Sequence, residues 1–165
     1  MEQKGNKMFT TEHLDKVLGE VRGYHNKSIF CPKKNLLAYR LSKMSSQYRG
    51  GAVERIIRDY YIDAGYDVTY IGGSNSYDMI VNNRKIEVKS SLAKMSIVGG
   101  IVKYKYSFKH ICPNNFHKLV MVFISPEGLK ARVMDSRTAA KYTGTKYCHK
   151  DLSVGKKIFG KVLAA

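Results

Sequence analysis

Cysteine, proline and tryptophan are scarce in this 165-residue chain, which has three cysteines, three prolines and no tryptophan. The cysteines, Cys31, Cys112 and Cys148, include no CxxC pair, which argues against a zinc ribbon and a disulfide framework and fits a reducing compartment. No apolar run reaches the roughly 18 residues of a membrane-spanning helix, and the polar first residues do not resemble a signal peptide. We therefore expect a protein that does not bind a membrane. We expect it to be located in the cytoplasm, or in the host cytoplasm if a virus or plasmid encodes it.

Acidic residues are also few, because 13 Asp and Glu stand against 29 Lys and Arg, a formal net charge of +16. Such an excess attracts polyanions over a Debye length of about 8–10 Å. Nucleic acid is the partner that this charge favours, since neutralised phosphates release counterions. A solubility function and attraction to an anionic membrane are the alternatives. The basic residues are spread along the chain, which predicts a folded basic surface rather than a disordered arm.

The length fits a single domain, and its clearest element is a helix. A continuous apolar stripe begins at Val53, after Gly50 and Gly51, and Gly65 is placed to end the helix. Weaker patterns predict helices at residues 10–22 and 35–44, and from Asp135 or Ser136 to about Tyr142. The expected parts are one domain over residues 1–165, an N-terminal helical extension packed on it at 1–46, and a catalytic core at 47–137.

Alternating and apolar runs predict the strands. Residues 102–109 alternate between apolar or aromatic side chains and lysine or serine, whereas residues 119–124 are apolar throughout, as in a strand buried on both faces. Further strands are expected at residues 67–71, 76–81, 84–90 and 129–134, with a last strand or helix within 152–164. This order predicts an α/β (α+β) fold with a mixed central sheet flanked by helices. The sequence shows no convincing helix between the strand at 84–90 and the strand at 119–124.

A tight hairpin brings the candidate catalytic residues together. Asn82 and Asn83 tolerate the left-handed conformation of a two-residue type I′ turn. Counting back from this turn places Asp78 opposite Glu87, on the same face of the ladder. Lys89 lies two residues after Glu87 and shares that face. One turn is thus expected to place two carboxylates and an ammonium side by side.

This grouping of charges predicts a metal site. Opposed carboxylates repel each other, so such a pair indicates a cation, and Mg²⁺ prefers hard oxygen ligands and keeps exchangeable waters. The metal would activate a water and neutralise a phosphate, while Lys89 would hold that water or stabilise transition-state charge. The alternative is an ordinary hairpin with Glu87 and Lys89 as solvated surface charges.

Other polar side chains are candidates for supporting roles. Glu54, in the strong helix, could reach the metal directly or through water; alternatively it stabilises the helix dipole and pairs with Arg58. The predicted contacts to DNA phosphates are Arg49, Arg55, Arg58, Ser90, Lys103 and Lys105. For these, a solvated basic face, or a half-buried strand with a lysine-rich outer side, is the alternative.

The segments GGAVERIIRDYYIDAGYDV, GGSNSYDMIV and RKIEVKSS together resemble the PD-(D/E)xK nuclease superfamily, with Tyr77 where the motif has proline. The resemblance implies a restriction endonuclease-like fold in which Asp78 and Glu87 bind Mg²⁺, Lys89 is the catalytic lysine and Glu54 is the helix acid. It implies a metal-dependent DNA endonuclease, with Mn²⁺ expected to substitute for Mg²⁺.

Two branches of the superfamily fit. The region after the catalytic strand resembles small restriction endonucleases, which cut duplex DNA. The segment around Glu54, with Ser74 and Ser76 before Asp78, is similar to Holliday junction resolvases, which cut branched DNA. Both branches imply a homodimer. The extra segments at both ends of the chain favour the restriction type. A basic DNA-binding protein that keeps the scaffold without catalysis is the alternative outside enzymes.

Overall fold

The computed structural model describes residues 29–73, 75–98, 101–140 and 149–154. Its strands, in chain order, are β1 (Val68–Tyr70), β2 (Met79–Val81), β3 (Arg84–Leu92), β4 (Lys94–Val98), β5 (Ile101–Lys109), β6 (Lys118–Ser125), β7 (Gly128–Asp135) and β8 (His149–Val154). Five of them form a central sheet in the order β1–β2–β3–β6–β7. Within it β3 and β6 run parallel and the other neighbours are antiparallel. The predicted mixed sheet with flanking helices is therefore confirmed.

Among the described residues, two helices precede the central sheet and a third follows it. They are α1 (Leu36–Lys43), α2 (Ser46–Asp63) and α3 (Ser136–Ala140). Each begins at a side-chain cap, since Asn35, Ser45 and Asp135 accept hydrogen bonds from backbone N–H groups of the first turn. The prediction for α2 was wrong at its start: Gly50 and Gly51 lie inside this helix, because Ser45 begins it earlier.

The core lies between the helices and the central sheet. Strand β6 is buried along almost its whole length, as its unbroken apolar sequence predicts. Leu37, Ala38 and Leu41 of α1 pack into the same core as Val53 and Ile57 of α2. This packing confirms the predicted helix at 35–44 and places it on the domain. The predicted helix at 10–22 lies outside the described residues.

The hairpin between β2 and β3 forms around the two asparagines. Asn82 and Asn83 both have positive φ, of 44° and 62°, as a type I′ turn requires. The ladder then runs as predicted to the pair Met79 and Ile86. There the register changes, because the Asp78 N–H also donates to the Ile86 carbonyl, so that two residues of one strand face one of the other, as in a β-bulge. The prediction that Asp78 lies directly opposite Glu87 in the ladder was wrong.

The connection between the parallel strands β3 and β6 is a hairpin followed by a short 3₁₀ turn at Pro113–Asn115. The hairpin strands β4 and β5 form a second, antiparallel sheet with β8, in the order β4–β5–β8. Tyr106 and Phe108 of β5 pack edge-on against Phe123 of β6, at ring-centroid distances of 5.0 and 5.2 Å. The sequence between β3 and β6 shows no helical pattern because it forms strands, which pack the second sheet against the central sheet.

The ends of several predicted elements fall partly outside the described residues. Helix α3 is described as far as Ala140, and the rest of its predicted span, to about Tyr142, lies outside the described residues. Strand β8 begins before the predicted tail element. Cys31 and Cys112 are free thiols, and Cys148 lies outside the described residues. In the part of the chain that the structure covers, none of the helices has the length and apolarity needed to cross a membrane.

Candidate active site

The site is built on Asp78, which lies at the bulge and forms hydrogen bonds through its backbone N–H, its backbone carbonyl and its carboxylate. Its N–H donates to the Ile86 carbonyl, and its own carbonyl accepts from the N–H groups of Ile71 and Gly72, at 2.9 and 3.0 Å. Its carboxylate oxygen Oδ2 accepts from the Val88 N–H at 2.7 Å. The side chain therefore takes the place of a neighbouring strand along β3. This arrangement fixes the carboxylate before any ligand binds.

Glu87 and Lys89 lie on one face of β3, as predicted. Glu87 is 7% exposed, and its Oε1 forms an ion pair with the Lys89 ammonium. The other oxygen, Oε2, is buried and has no hydrogen-bond partner among the described residues. A buried carboxylate oxygen without a partner is costly, and it indicates a position that a ligand or ion completes.

Helix α2 packs on β3 and β1 and carries Glu54 to the same place. The Tyr70 hydroxyl of β1 donates to Glu54 Oε2 at 3.0 Å. Because α2 begins at Ser46, Glu54 lies in the third turn, beyond the reach of the helix N-terminal dipole. Arg58 forms an ion pair with Asp59 at 2.6 Å, and Glu54 is bound to Tyr70 instead. Neither of the structural roles considered for Glu54 therefore accounts for it.

Tyr70 was missed by the sequence analysis. Its ring lies under the Arg58 guanidinium, 5.4 Å from the ring centroid, and against Gly72, where an added Cβ would come within 2.9 Å of the ring. Gly72 has φ +64°, so glycine serves both its conformation and this close approach. The sequence does show an aromatic strand residue beside a glycine turn, which could have marked Tyr70 as a candidate. Only the fold shows that the Tyr70 hydroxyl reaches Glu54 on helix α2.

The three carboxylates interact electrostatically. Burial raises the pKa of Glu87 to about 7, with Lys89 opposing the rise and the charge of Asp78 adding to it. Burial, and then the charge of Asp78, raises the pKa of Glu54. Burial also raises the pKa of Asp78, although the hydrogen bond from Val88 and the charge of Lys89 lower it. The three carboxylates thus carry more negative charge than the Lys89 ammonium can stabilise. The site would therefore attract a further cation.

The fit of a divalent cation follows from these donors. Between residues 29 and 154, leaving out the undescribed stretches, no three His, Cys, Asp or Glu side chains are grouped to hold a metal ion. The predicted set of Asp78, Glu87 and Glu54 is therefore not assembled as three direct ligands. Two carboxylates with one unpartnered oxygen do suit Mg²⁺, which binds few protein carboxylates and retains waters. Glu54 is held by Tyr70 and is not grouped with these two carboxylates as a third ligand.

Two of the predicted DNA-binding arginines have structural partners. The Arg49 guanidinium donates to the Met44 carbonyl at 3.0 Å, just after the end of α1, and burial lowers its pKa. Arg58 bonds Asp59 through Nε at 2.7 Å and covers Tyr70. Arg49 therefore fastens α1 to α2. Arg58 positions Tyr70.

The remaining predicted DNA-binding residues are spread more widely. Arg55 is exposed and close enough to Glu54 and Tyr70 to lower the pKa of each. Strand alternation puts Ser90 on the face of β3 opposite Glu87 and Lys89. Ser76 and Lys105 are exposed, at the turn before β2 and on β5. Ser74 and the side chain of Lys103 lie outside the described part.

The sequence matches no protein-family model and no curated protein. Among solved structures, the chain is similar to that of a bacterial homing endonuclease, I-Ssp6803I, with a TM-score of 0.43 and 17% identity. The likeness covers 68% of this chain and 79% of that one. A likeness this distant leaves the assignment of function to the site itself.

Proposed function

We propose that the protein is an Mg²⁺-dependent DNA endonuclease of the PD-(D/E)xK type that hydrolyses phosphodiester bonds. The observation that carries the proposal is the cluster of Asp78, Glu87, Lys89 and Glu54, in which a buried Glu87 oxygen has no partner within the described chain. A carboxylate pair that is short of positive charge, beside a lysine and on a chain of net charge +16, suits a metal ion and a polyanionic substrate.

Asp78 and Glu87 would hold the metal, which when bound lowers the pKa of a coordinated water and neutralises the scissile phosphate. Lys89, paired with Glu87, would orient the attacking water or stabilise negative charge on the phosphoryl oxygens in the transition state. Glu54, fixed by Tyr70, would reach the metal through a bound water. The water oxygen bonds to phosphorus, and one ester oxygen leaves with a proton.

The favoured substrate is duplex DNA, cut on both strands as restriction endonucleases do. Selective cutting of four-way junctions, as by a resolvase, is the second candidate, favoured by the sequence around Glu54 and the serines before Asp78. Either activity implies a homodimer, because both substrates have two-fold symmetry. Mn²⁺ should substitute for Mg²⁺, since both accept hard oxygen ligands.

The test is a cleavage assay on supercoiled plasmid, linear duplex, nicked duplex and four-way junction DNA, with Mg²⁺ or with EDTA. We expect cleavage in Mg²⁺ that EDTA abolishes and that Lys89→Ala reduces at least about a hundredfold. Discrete plasmid fragments would indicate the restriction type, and cutting of junctions alone would indicate the resolvase.

The matched control is Lys94→Ala, which removes an exposed lysine further along the chain, on β4. It should change cleavage little, because a single exposed lysine contributes only to the general attraction of DNA. If wild-type protein binds all four DNAs but cuts none in Mg²⁺ or Mn²⁺, the chain is a binding protein on this scaffold and the proposal is wrong.

A further inference from the structure

Strand β5 crosses the face of the central sheet that carries the catalytic side chains of β3. Ser91 follows Lys89 by two residues, so its side chain lies on the same face as those of Lys89 and Glu87, about 7 Å along the strand. The Ser91 hydroxyl accepts a hydrogen bond from the Ser107 N–H of β5 at 2.9 Å. Phe123, the partner of Ser91 in the ladder between β3 and β6, packs against the aromatic rings of β5. Two contacts thus fix the second sheet on this face, close to Lys89.

The direction of β5 brings its end toward the candidate active site. Its antiparallel pairing with β4 ends at Lys105, which lies opposite the first residue of β4. From there β5 runs back along β3, against the direction of that strand, and the Ser107 N–H bonds to it. Two more residues lead to Lys109, about 7 Å further toward the level of Lys89. The chain leaves the strand at His110, whose φ is 55°. Lys109 is therefore the residue of β5 that comes furthest toward Lys89.

The outward side of this strand end carries positive charge that no described residue neutralises. Tyr106 and Phe108 are buried against the central sheet, so strand alternation turns Lys105 and Lys109 away from it. Both lysines are exposed, and neither forms an ion pair within the described chain. Lys105 lies four residues earlier than Lys109 and so about 13 Å further from the active site. Lys109 is thus an exposed, unpaired cation at the edge of the site.

A DNA strand in the active site requires positive charge beyond that of Lys89. The Lys89 ammonium is already paired with Glu87. Arg49 and Arg58 bind a backbone carbonyl and a carboxylate within the protein. A bound metal ion would neutralise the scissile phosphate, but each neighbouring phosphate of the strand keeps its own negative charge. An unpaired lysine next to the site has the charge and the position to bind one of these neighbours.

We propose that Lys109 binds a phosphate that neighbours the scissile phosphate, and that the outward end of β5 is the surface along which the flanking DNA lies. This inference rests on the proposed function, because it concerns the substrate of that site. The hydrogen bond between Ser107 and Ser91 holds the surface at a fixed distance from Lys89. Lys109 therefore binds and positions the DNA strand and takes no part in the chemical step.

The first experiment measures the affinity for duplex and four-way junction DNA in EDTA, where no cleavage occurs, at several salt concentrations. It compares Lys109→Gln and Lys109→Glu with Arg84→Gln and Arg84→Glu. Arg84 is the matched control because it is exposed at the hairpin turn, on the face of β3 opposite to Glu87 and Lys89. Each pair of variants changes the net charge by the same amount, so a difference between them reports the position of the charge.

We expect Lys109→Gln to weaken DNA binding about fivefold to tenfold at about 0.1 M salt, because one phosphate contact is lost. The slope of the logarithm of affinity against the logarithm of salt concentration should fall by about one. Lys109→Glu should bind at least about tenfold more weakly than Arg84→Glu. Lys105→Gln should lose less affinity than Lys109→Gln, and Lys109→Arg should keep it because arginine keeps the charge. All these residues are exposed, so the thermal midpoints should stay near that of wild type.

The second experiment locates the contact on the DNA that wild-type protein cuts. A single uncharged methylphosphonate replaces each phosphate beside the cleaved bond in turn, and single-turnover cleavage in Mg²⁺ is measured with wild type and Lys109→Gln. At one of these positions the uncharged group should slow wild type about fivefold. It should slow Lys109→Gln no further, because the partner of that phosphate is already absent.

Equal losses of affinity in Lys109→Glu and Arg84→Glu would overturn the proposal, because net charge alone would then account for both. Independent effects of Lys109→Gln and of the methylphosphonate at every flanking position would overturn it as well. These outcomes are separable from the nuclease activity. A larger loss at Lys109 without any Mg²⁺-dependent cleavage would contradict the nuclease alone, and cleavage with equal losses would contradict the role of Lys109 alone. A wild-type protein that binds no DNA would contradict both.

Discussion

Replacing Glu87 by glutamine should make the metal-free protein more stable. The wild-type carboxyl has a pKa of about 7, raised from 4.5 mainly by burial. Each unit of pKa difference between folded and unfolded states corresponds to about 1.4 kcal/mol, so this rise amounts to about 3 kcal/mol at pH 8. Glutamine carries no charge to bury but must satisfy its own amide. We therefore expect a net gain of about 1–3 kcal/mol.

The pH dependence of this effect has a definite sign. Between pH 4.5 and about 7 the folded protein holds the Glu87 proton and the unfolded chain has released it. Folding therefore takes up a proton in this range, and the contribution of Glu87 to stability falls as the pH rises. The gain from Glu87→Gln should be large at pH 8 and should vanish near pH 4.5. Urea unfolding in EDTA at several pH values measures it.

The matched control is Glu127→Gln, the same change at an exposed carboxylate. Burial raises the pKa of Glu127, but hydrogen bonds from Tyr104 and Ser125 outweigh it, and the net shift is downward. Tyr104 donates to this carboxylate at 2.9 Å. The control should gain no stability at pH 8. If Glu87→Gln were less stable than wild type at pH 8 in EDTA, Glu87 would be a structural partner of Lys89, and the reasoning would be refuted.

Three further changes test the supports of the site. Tyr70→Phe removes the hydrogen bond to Glu54 and should lower the Mg²⁺-dependent cleavage rate by up to about tenfold, with little change in fold. The control is Tyr66→Phe, which removes a hydroxyl elsewhere and should leave the cleavage rate unchanged. Mg²⁺ titrations of single-turnover rates measure both variants. Gly72→Ala places a Cβ 2.9 Å from the Tyr70 ring at a positive φ and should destabilise the protein by about 1–3 kcal/mol in urea unfolding; an unchanged midpoint would contradict the close packing. Leu119→Ala, at a fully buried position of β6, should lower the free energy of unfolding by about 2–5 kcal/mol, and a smaller loss would mean that β6 does not lie in the core.

Local patterns were enough to predict the elements that hold the site. The asparagine pair defines its own turn, because few other residues accept two successive positive φ angles, and the strand register follows from that turn. The apolar run of β6 can be buried on both faces only in the middle of a sheet. From these, the positions of Glu87 and Lys89 on one face were predictable.

The features that the sequence did not reveal depend on contacts distant in the chain. The bulge at Asp78 arises because its carboxylate bonds Val88 and its carbonyl accepts two N–H groups from beyond β1. The start of α2 depends on the Ser45 cap, which outweighs the low helix propensity of two glycines. The hydrogen bond between Tyr70 and Glu54 spans sixteen residues and depends on how the helix packs on the sheet.

The most direct test of the central claim is the single-turnover cleavage rate of Glu87→Gln in saturating Mg²⁺ at pH 8. At this pH the metal-free variant is expected to be more stable than metal-free wild type, so misfolding cannot account for a loss of activity. The account predicts a rate at least about a hundredfold below wild type on the DNA that wild type cuts best. Cleavage by the variant within a few-fold of wild type would show that phosphodiester hydrolysis takes place elsewhere in the protein.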